Sequence, residues 1–378
     1  MGDHGTPPLL SSRRALWTGV CSALDMMRRG RWLVGLGVGL VLGQAQAVTL
    51  TVLTHYVGQD LAWVRAQSAG YARETGVQVR VTSVAFGDLI ERWEGARARP
   101  DVVVGVPDEW LPGLAAQTAP LAGDDLGDPA GVAALTVGGV VRARPLMAEA
   151  VALVVNRALV PGGIGSWADL ERAAAADGPG VALGPHDPYL QAGLFRAFGV
   201  NLLAPAPDPA AVSRAGCALR HVGGPGANLN EAQALEAFGQ GRLGAILTGP
   251  WNHPALVNSG VTYSVQPLPT PPGAPQSWQP IVGFQGVAVD ARTRAAHEAE
   301  ALALHLTRPE AQLALYRAGS RLPAHPAAQE PLRPQQDPWG FIQAVRAGRP
   351  EAAFGNDGSA WDRAQATLDG ALSRQDCR

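Results

Sequence analysis

The sequence predicts an α/β fold built on a parallel sheet. Short apolar runs alternate with helical patterns at the start of the globular part: strands at 48–53, 77–81 and 102–104, and helices at 61–74 and 88–97. This strand–helix–strand order, at this spacing, is typical of parallel strands joined by crossover helices. Further strands are predicted at 151–155, 180–183, 243–247, 263–268 and 283–289, and further helices at 297–306 and 309–318.

The helix boundaries carry residues with capping chemistry. The pattern at 61–74 closes at Thr75 and Gly76, and glycine readily takes the left-handed conformation that ends a helix. Ser166 precedes another helical run and is its predicted N-cap. These signals are local, and they support the order of elements along the chain.

Length and composition limit the function classes. The chain has 378 residues, 47% of them hydrophobic, and a formal net charge of −2. It is therefore long enough for two domains. Without a basic excess, nucleic acid is not expected as a partner.

The N-terminal region has the pattern of a secretory signal peptide. A basic run at 26–31 precedes an apolar run at 32–42, and small residues follow up to Ala47. The apolar run is too short to span a bilayer. We predict cleavage after Ala47, so that residues 1–47 are a signal peptide with an upstream extension, and translation starts at Met26 or Met27. The mature protein is expected in the periplasm or an equivalent envelope space.

Two cysteines remain after this cleavage, Cys217 and Cys377, because Cys21 lies in the segment expected to be removed. An oxidising compartment permits a disulfide between them. Two free thiols are the alternative, and sequence alone does not provide the geometry that decides.

Trp251 stands in the most informative segment of the chain. A helical pattern ends near Gly239, a short apolar strand covers 243–247, and Thr-Gly-Pro-Trp then turns the chain. In a parallel α/β sheet, ligands bind where strands end at their carboxyl side. Trp251 is therefore either a platform for a sugar ring or a tryptophan packed into the core.

Four segments together resemble a known family. They are Pro-Asp-Val-Val-Val at 100–104, the crossing segment 144–156, the stretch 238–251 ending in Thr-Gly-Pro-Trp, and 265–269 followed by 283–286. Their order and spacing resemble the sugar-binding extracellular solute-binding proteins that serve ABC transporters, especially maltose/maltodextrin-binding proteins. The resemblance extends from Val48 to the C-terminus.

The resemblance implies a type II periplasmic binding protein fold, in which two discontinuous α/β lobes are joined by a hinge with a ligand cleft between them. The chain would cross between the lobes near 147–151, 283–287 and 321–323. The implied N-terminal lobe comprises 48–148 and 287–322, and the C-terminal lobe comprises 149–286 and 323–378.

The resemblance also implies the ligand contacts. Six positions match sugar-binding positions of the family: Asp108, Glu149, Asp187, Tyr189, Trp251 and Trp361. Gln59, Glu109 and Trp110 are further candidates. Sugar hydroxyls suit carboxylate acceptors, and the C–H faces of sugar rings suit aromatic platforms.

Four of these candidates also have a structural alternative. Glu149 could form a salt bridge, Asp108 could cap a loop, Tyr189 could pack at the surface, and Trp361 could be buried against the last helix.

The sequence departs from the maltose-binding pattern at several positions. Gly105 stands where that pattern has a Trp, Glu109 where it has an Arg, and Gly58 and Gln59 replace an Asp–Lys pair. His55 or Tyr56 could compensate near the first strand, and Trp110 could replace the lost platform. The departures leave the exact sugar open.

The predicted function is that of a monomeric substrate-binding protein, not an enzyme, which needs no cofactor. It would deliver an oligosaccharide such as maltose or maltodextrin to the membrane permease of an ABC importer. Two alternatives remain. Asp108, Glu149 and Asp187 could serve a glycoside-processing enzyme, and His186 with Asp187 could join a metal or polyamine site. No Gly-x-Ser-x-Gly, phosphate-loop or HExxH motif is present.

Overall fold

The computed structural model describes residues 48–95, 99–122, 126–350, 360–374 and 377. The predicted signal peptide, residues 1–47, lies outside the described residues. Within the described part of the chain, no helix is both long and apolar enough to cross a membrane.

The described residues form twelve strands and fourteen α-helices. The strands are β1 (Thr49–Thr54), β2 (Gln78–Ser83), β3 (Val102–Pro107), β4 (Thr136–Val137), β5 (Val140–Val141), β6 (Arg144–Ala150), β7 (Ala152–Asn156), β8 (Val181–Ala182), β9 (Ala245–Thr248), β10 (Tyr263–Gln266), β11 (Ile281–Val289) and β12 (Arg349–Pro350). The helices are α1 (Gly58–Thr75), α2 (Leu89–Gly95), α3 (Leu111–Leu114), α4 (Pro129–Ala134), α5 (Trp167–Ala174), α6 (Pro188–Ala197), α7 (Pro209–His221), α8 (Glu231–Gly239), α9 (His253–Asn258), α10 (Ala296–Thr307), α11 (Pro309–Gly319), α12 (Pro326–Gln329), α13 (Gln336–Ala347) and α14 (Ala360–Ser373).

The first large sheet has the order β12-β11-β3-β1-β2, with β6 also paired to β11. Its β2-β1-β3 part is parallel, as the sequence predicts, and α1 and α2 make the crossovers. Every residue of β3 is buried, which is the pattern expected of a central strand covered on both faces. The capping predictions are also confirmed: Gly76 takes a left-handed conformation after α1, and Ser166 caps α5.

The second large sheet has the order β10-β7-β9-β8. Here β7 is antiparallel to both of its neighbours, and only β8 and β9 are parallel. In the first sheet, β11 is likewise antiparallel to β3. Both sheets are therefore mixed, with parallel strands where the sequence predicts them and antiparallel pairs that it did not indicate, because β7 and β11 belong to segments that pass between the sheets without a crossover helix.

The chain passes from one sheet to the other at a few points. β6 pairs with β11 in the first sheet, and after Val151 the chain continues as β7 in the second. Beside β6, the N–H of Ala148 donates to the carbonyl of Leu322, and Met147 forms a bridge with Pro323. The result is a two-lobe α/β fold. The residue boundaries assigned to the lobes from the sequence stay a prediction.

A disulfide joins Cys217 on α7 to Cys377, with their Cα atoms 5.3 Å apart. The structure thus decides between the two states that the sequence left open. Helices α7 and α14 also pack closely, since a Cβ on Gly216 would lie 2.9 Å from the Cβ of Ala371. The C-terminal end of α14 is therefore held to α7 by both packing and a covalent bond.

Candidate functional site

Three of the predicted aromatic residues converge. Tyr189 lies in the first turn of α6, Trp251 follows β9, and Trp361 lies in the first turn of α14. The ring centroid of Tyr189 is 5.9 Å from that of Trp251 and 6.0 Å from that of Trp361. All three rings pack against the core on one side and are partly exposed. We call these three residues the aromatic cluster.

The position of Trp251 is set by its neighbours in sequence and space. A Cβ on Gly249 would overlap the indole ring, so glycine is what lets the ring fold back over the chain. The indole Nε1–H donates to Oε1 of Glu231 at 2.9 Å, and the same oxygen accepts from Thr248 and Asn252. Sequence reasoning missed Glu231. Glu231 lies in the first turn of α8, where an acidic residue is common, so the sequence did not indicate that it accepts a hydrogen bond from Trp251.

A second group of residues brings charges together from three distant segments. Arg321 follows α11, Asp60 lies in the first turn of α1, and Glu149 lies near the end of β6. The Nε–H of Arg321 donates to Oδ2 of Asp60 at 2.8 Å, and its Nη1 lies 4.0 Å from Oε2 of Glu149. We call Asp60, Glu149 and Arg321 the charged cluster. The sequence singled out Glu149 alone as a site residue; Arg321 appeared only in a predicted lobe crossing.

The two clusters border the same space. Glu149 pairs with Gly283 across β6 and β11. A Cβ on Gly283 would lie 3.4 Å from the hydroxyl oxygen of Tyr189 and 3.5 Å from Cγ of Glu149. A side chain at position 283 would therefore fill the space where the tyrosine and the carboxylate meet.

The electrostatic surroundings of Glu149 are unusual for a carboxylate. Burial raises its pKa from 4.5 to about 7, Arg321 acts in the opposite direction, and Glu109 raises the pKa further. Near neutral pH, Glu149 is therefore divided between its ionised and protonated forms.

Two of the predicted acidic residues have structural hydrogen bonds. Asp108 is 2% exposed, and its Oδ1 accepts from the backbone N–H of Phe284 at 3.2 Å. Asp187 is the N-cap of α6, where its Oδ1 accepts from the backbone N–H groups of Tyr189 and Leu190. These contacts give both residues a structural role. Their contact with a ligand stays a prediction.

The further candidates lie around the charged cluster. Gln59 is exposed in the first turn of α1, and Glu109 is half-buried and acts electrostatically on Glu149. Trp110 packs on Phe86, with 4.6 Å between ring centroids. Among the described residues, Trp110 makes no ring contact with the aromatic cluster.

Gly105 stands where the family pattern has a Trp, and the side chains of His55 and Tyr56 pack directly against it. Its φ is +85°, and a Cβ would lie 2.8 Å from both Nε2 of His55 and Cε1 of Tyr56. The side chains of His55 and Tyr56 thus occupy the region that a larger residue at 105 would need.

His186 was a candidate for a metal or polyamine site with Asp187. Its Nδ1 instead lies 3.1 Å from Oδ1 of Asp369, and its carbonyl accepts from Gln365, both on α14. Among the described residues, no group of three or more His, Cys, Asp or Glu side chains is placed to hold a metal ion.

Comparison with known proteins supports the resemblance seen in the sequence. A family profile described as bacterial extracellular solute-binding protein matches residues 66–340. The chain belongs to this family. No curated protein sequence matches the chain significantly.

Solved structures of other solute-binding proteins are similar over nearly the whole chain. A Thermus thermophilus maltotriose binding protein, bound with maltotriose, is 27% identical, with a TM-score of 0.70 over 87% of this chain and 95% of that one. The maltose-maltodextrin binding protein of Alicyclobacillus acidocaldarius is 20% identical, with a TM-score of 0.72 over 86% and 95%. The GacH receptor of Streptomyces glaucescens is 21% identical, with a TM-score of 0.72 over 86% and 93%. These similarities confirm the two-lobe fold and the resemblance to maltodextrin-binding proteins.

Proposed function

We propose that this solute-binding protein binds an oligosaccharide, an α-glucan fragment of the maltodextrin type, between the aromatic and charged clusters. It would deliver the sugar to the membrane permease of an ABC importer as an exported monomer. The observation that carries the proposal is the cluster of three partly exposed aromatic rings, of which Tyr189 lies together with the Glu149 carboxylate beside Gly283.

The chemistry of the two clusters matches the two kinds of surface on a sugar. The aromatic faces can cover the apolar C–H patches of pyranose rings, which removes apolar area from water. An ionised Glu149 can accept hydrogen bonds from neighbouring hydroxyls, and such charge-assisted bonds are stronger than neutral ones. The site thus combines stacking area on one side with a directional acceptor on the other.

The comparison with the Thermus thermophilus protein supports maltotriose as the first ligand to try, because that protein is named for binding it. The departures at Gly105 and Glu109 lie on the charged side of the site. We therefore expect the number of sugar units and the affinity to be set there, while the aromatic cluster defines the class of ligand.

The test is a titration of the purified exported protein, stripped of co-purified ligand, with maltose, maltotriose, maltotetraose and unrelated sugars. Tryptophan fluorescence and calorimetry would follow binding. We expect a saturable response to the α-glucans. No response to any sugar, combined with tight binding of a metal ion or a polyamine, would overturn the proposal. Release of reducing sugar from a glycoside would instead indicate an enzyme.

A further inference from the structure

Arg321 stands between two carboxylates that come from separate segments of the chain, those of Asp60 and Glu149. Its guanidinium is hydrogen-bonded to Asp60 at 2.8 Å, lies 4.0 Å from Glu149, and is 5.6 Å from the ring centroid of Tyr56. The side chain is 25% exposed, and that of Asp60 only 11%. The closer and better buried partner is therefore Asp60, and Glu149 is the outer one.

The backbone around Arg321 is shaped to fit Asp60. A Cβ on Gly319 would overlap Oδ1 of Asp60, so the carboxylate packs directly against the chain at the end of α11. Ser320 then takes a left-handed conformation with φ of 62°, which is uncommon for a residue with a side chain. Arg321 follows directly and reaches back to Asp60. The end of α11 thus presents the guanidinium in one orientation.

The surroundings of Glu149 shift its pKa in opposite directions. Arg321 favours its ionised form, whereas burial and the nearby Glu109 favour the protonated form. The hydroxyl of Tyr189 borders the same space, and Tyr56 lies beneath the guanidinium. Burial raises the pKa of Tyr56, so that its hydroxyl stays neutral and donates to Gln285. The charge of Arg321 is thus what offsets burial and Glu109.

We infer that Arg321 is a positioning residue of the ligand site: anchored by Asp60, it orients the Glu149 carboxylate beside Gly283 and balances its charge. The inference rests on the proposed function, because Glu149 is the group through which Arg321 would act on a sugar. Arg321 itself is directed at the two carboxylates. Its effect on ligand binding is therefore indirect and depends on pH.

Replacement of Arg321 separates this role from a purely structural one. In Arg321→Gln, Glu149 keeps its burial and its repulsion from Glu109 but loses the cation. Its titration midpoint in the ligand-free protein should rise by about one pH unit or more. Maltotriose affinity should then fall roughly fivefold at pH 7 and recover as the pH is raised, because a midpoint raised from about 7 to about 8 lowers the ionised fraction at pH 7 from about one half to about one tenth.

Three further variants sharpen the test. Arg321→Lys keeps the charge and should hold the midpoint close to that of the wild type. Asp60→Asn keeps Arg321 but removes its anchor, and should give a smaller rise; it also serves if Arg321→Gln does not fold. Arg333→Gln removes an exposed arginine paired with Glu330, and should leave both midpoint and affinity unchanged.

The midpoint is measured in ligand-free protein by NMR of the side-chain carboxyl carbons, with Glu149→Gln used to assign the signal. Affinity is measured by calorimetry from pH 6 to 9. An unchanged midpoint in Arg321→Gln overturns the inference, as does a loss of affinity that is the same at every pH. If the wild type binds no sugar, the proposed function fails, while a shifted midpoint would still support the coupling of Arg321 to Glu149.

Discussion

The aromatic cluster and the charged cluster meet at Gly283 but are built in different ways. In the aromatic cluster, Tyr189 lies in the helix that follows β8, Trp251 lies just after β9, and Trp361 lies in the first turn of the last helix. The charged cluster joins residues 60, 149 and 321, which come from three separate segments around the first sheet and the lobe crossings. Both clusters need long-range packing, but each aromatic residue stands at the end of a strand or the start of a helix, whereas no local pattern marks the partners in the charged cluster.

The two clusters also differ in how their contributions to the binding free energy depend on pH. Stacking on an aromatic face depends on contact area and changes little with pH or salt. A carboxylate that accepts hydrogen bonds contributes direction, but only in its ionised form. The structure therefore predicts that the two sides of the site respond differently to the same change in conditions, and the variants below separate them.

The largest expected effect concerns the support of Trp361. Replacing both cysteines, Cys217→Ser with Cys377→Ser, should lower the free energy of unfolding by about 2–4 kcal/mol, because the disulfide closes a long loop. Ligand affinity should fall as α14 loosens, while the pH dependence of binding stays as in the wild type. Urea unfolding followed by circular dichroism measures the first effect. Equal midpoints for the wild type with and without reductant would contradict it.

Glu149→Gln tests the charged side. At pH 8 the variant should bind the sugar more weakly by roughly 1.5–3 kcal/mol, the contribution of a hydrogen bond to a charged group. The difference should shrink at pH 6, because the wild-type carboxyl, with its pKa raised to about 7, is then mostly protonated. Calorimetry at both pH values measures this. A difference that does not vary with pH would mean that Glu149 acts in its neutral form.

The same variant has a consequence for stability without ligand. Since the folded-state pKa of Glu149 lies above its ordinary value of 4.5, its contribution to stability is fully present below about pH 4.5 and is lost as the pH rises through about 7. Glu149→Gln should remove this part of the pH dependence of the free energy of unfolding. Parallel urea titrations of the two proteins at pH 5 and pH 8 give the comparison.

Trp251→Ala tests the aromatic side. Affinity should fall by roughly 1–3 kcal/mol from the lost stacking area, and by the same amount at pH 6 and pH 8. The matched control is Trp339→Ala, which removes a tryptophan whose ring lies close to the guanidinium groups of Arg333 and Arg346, outside both clusters. Binding by the control should be unchanged. If Trp251→Ala binds the sugar as tightly as the wild type, Trp251 has a purely structural role.

The smallest expected effect separates the two roles of Asp187. Asp187→Ala removes the N-cap of α6 and should cost about 1 kcal/mol of stability. Asp187→Ser keeps a capping oxygen and should restore most of that stability. If Asp187 only caps the helix that carries Tyr189, the Ser variant binds sugar like the wild type. Weak binding by a stable Ser variant would show that Asp187 also contacts the ligand.

How much the sequence revealed depended on how local each signal was. Tyr189 and Trp251 could be placed because each follows a recognisable strand, and three aromatic residues predicted at separate positions do come together. Asp187 was read as a ligand contact, although Asp before Pro and Tyr is equally the start of a capped helix. Arg321 was noticed only as part of a lobe crossing, since nothing beside it in the chain hints at Asp60.

The sequence by itself determined the α/β class, the order of elements, the helix caps and the family resemblance. These depend on periodicity, turn residues and short motifs, which act over a few positions. The tertiary structure alone decided that both sheets are mixed, that Cys217 pairs with Cys377, and that Arg321 joins Asp60 to Glu149. Such contacts join residues that lie far apart in the sequence, and only the packing of the folded chain brings them within reach of each other.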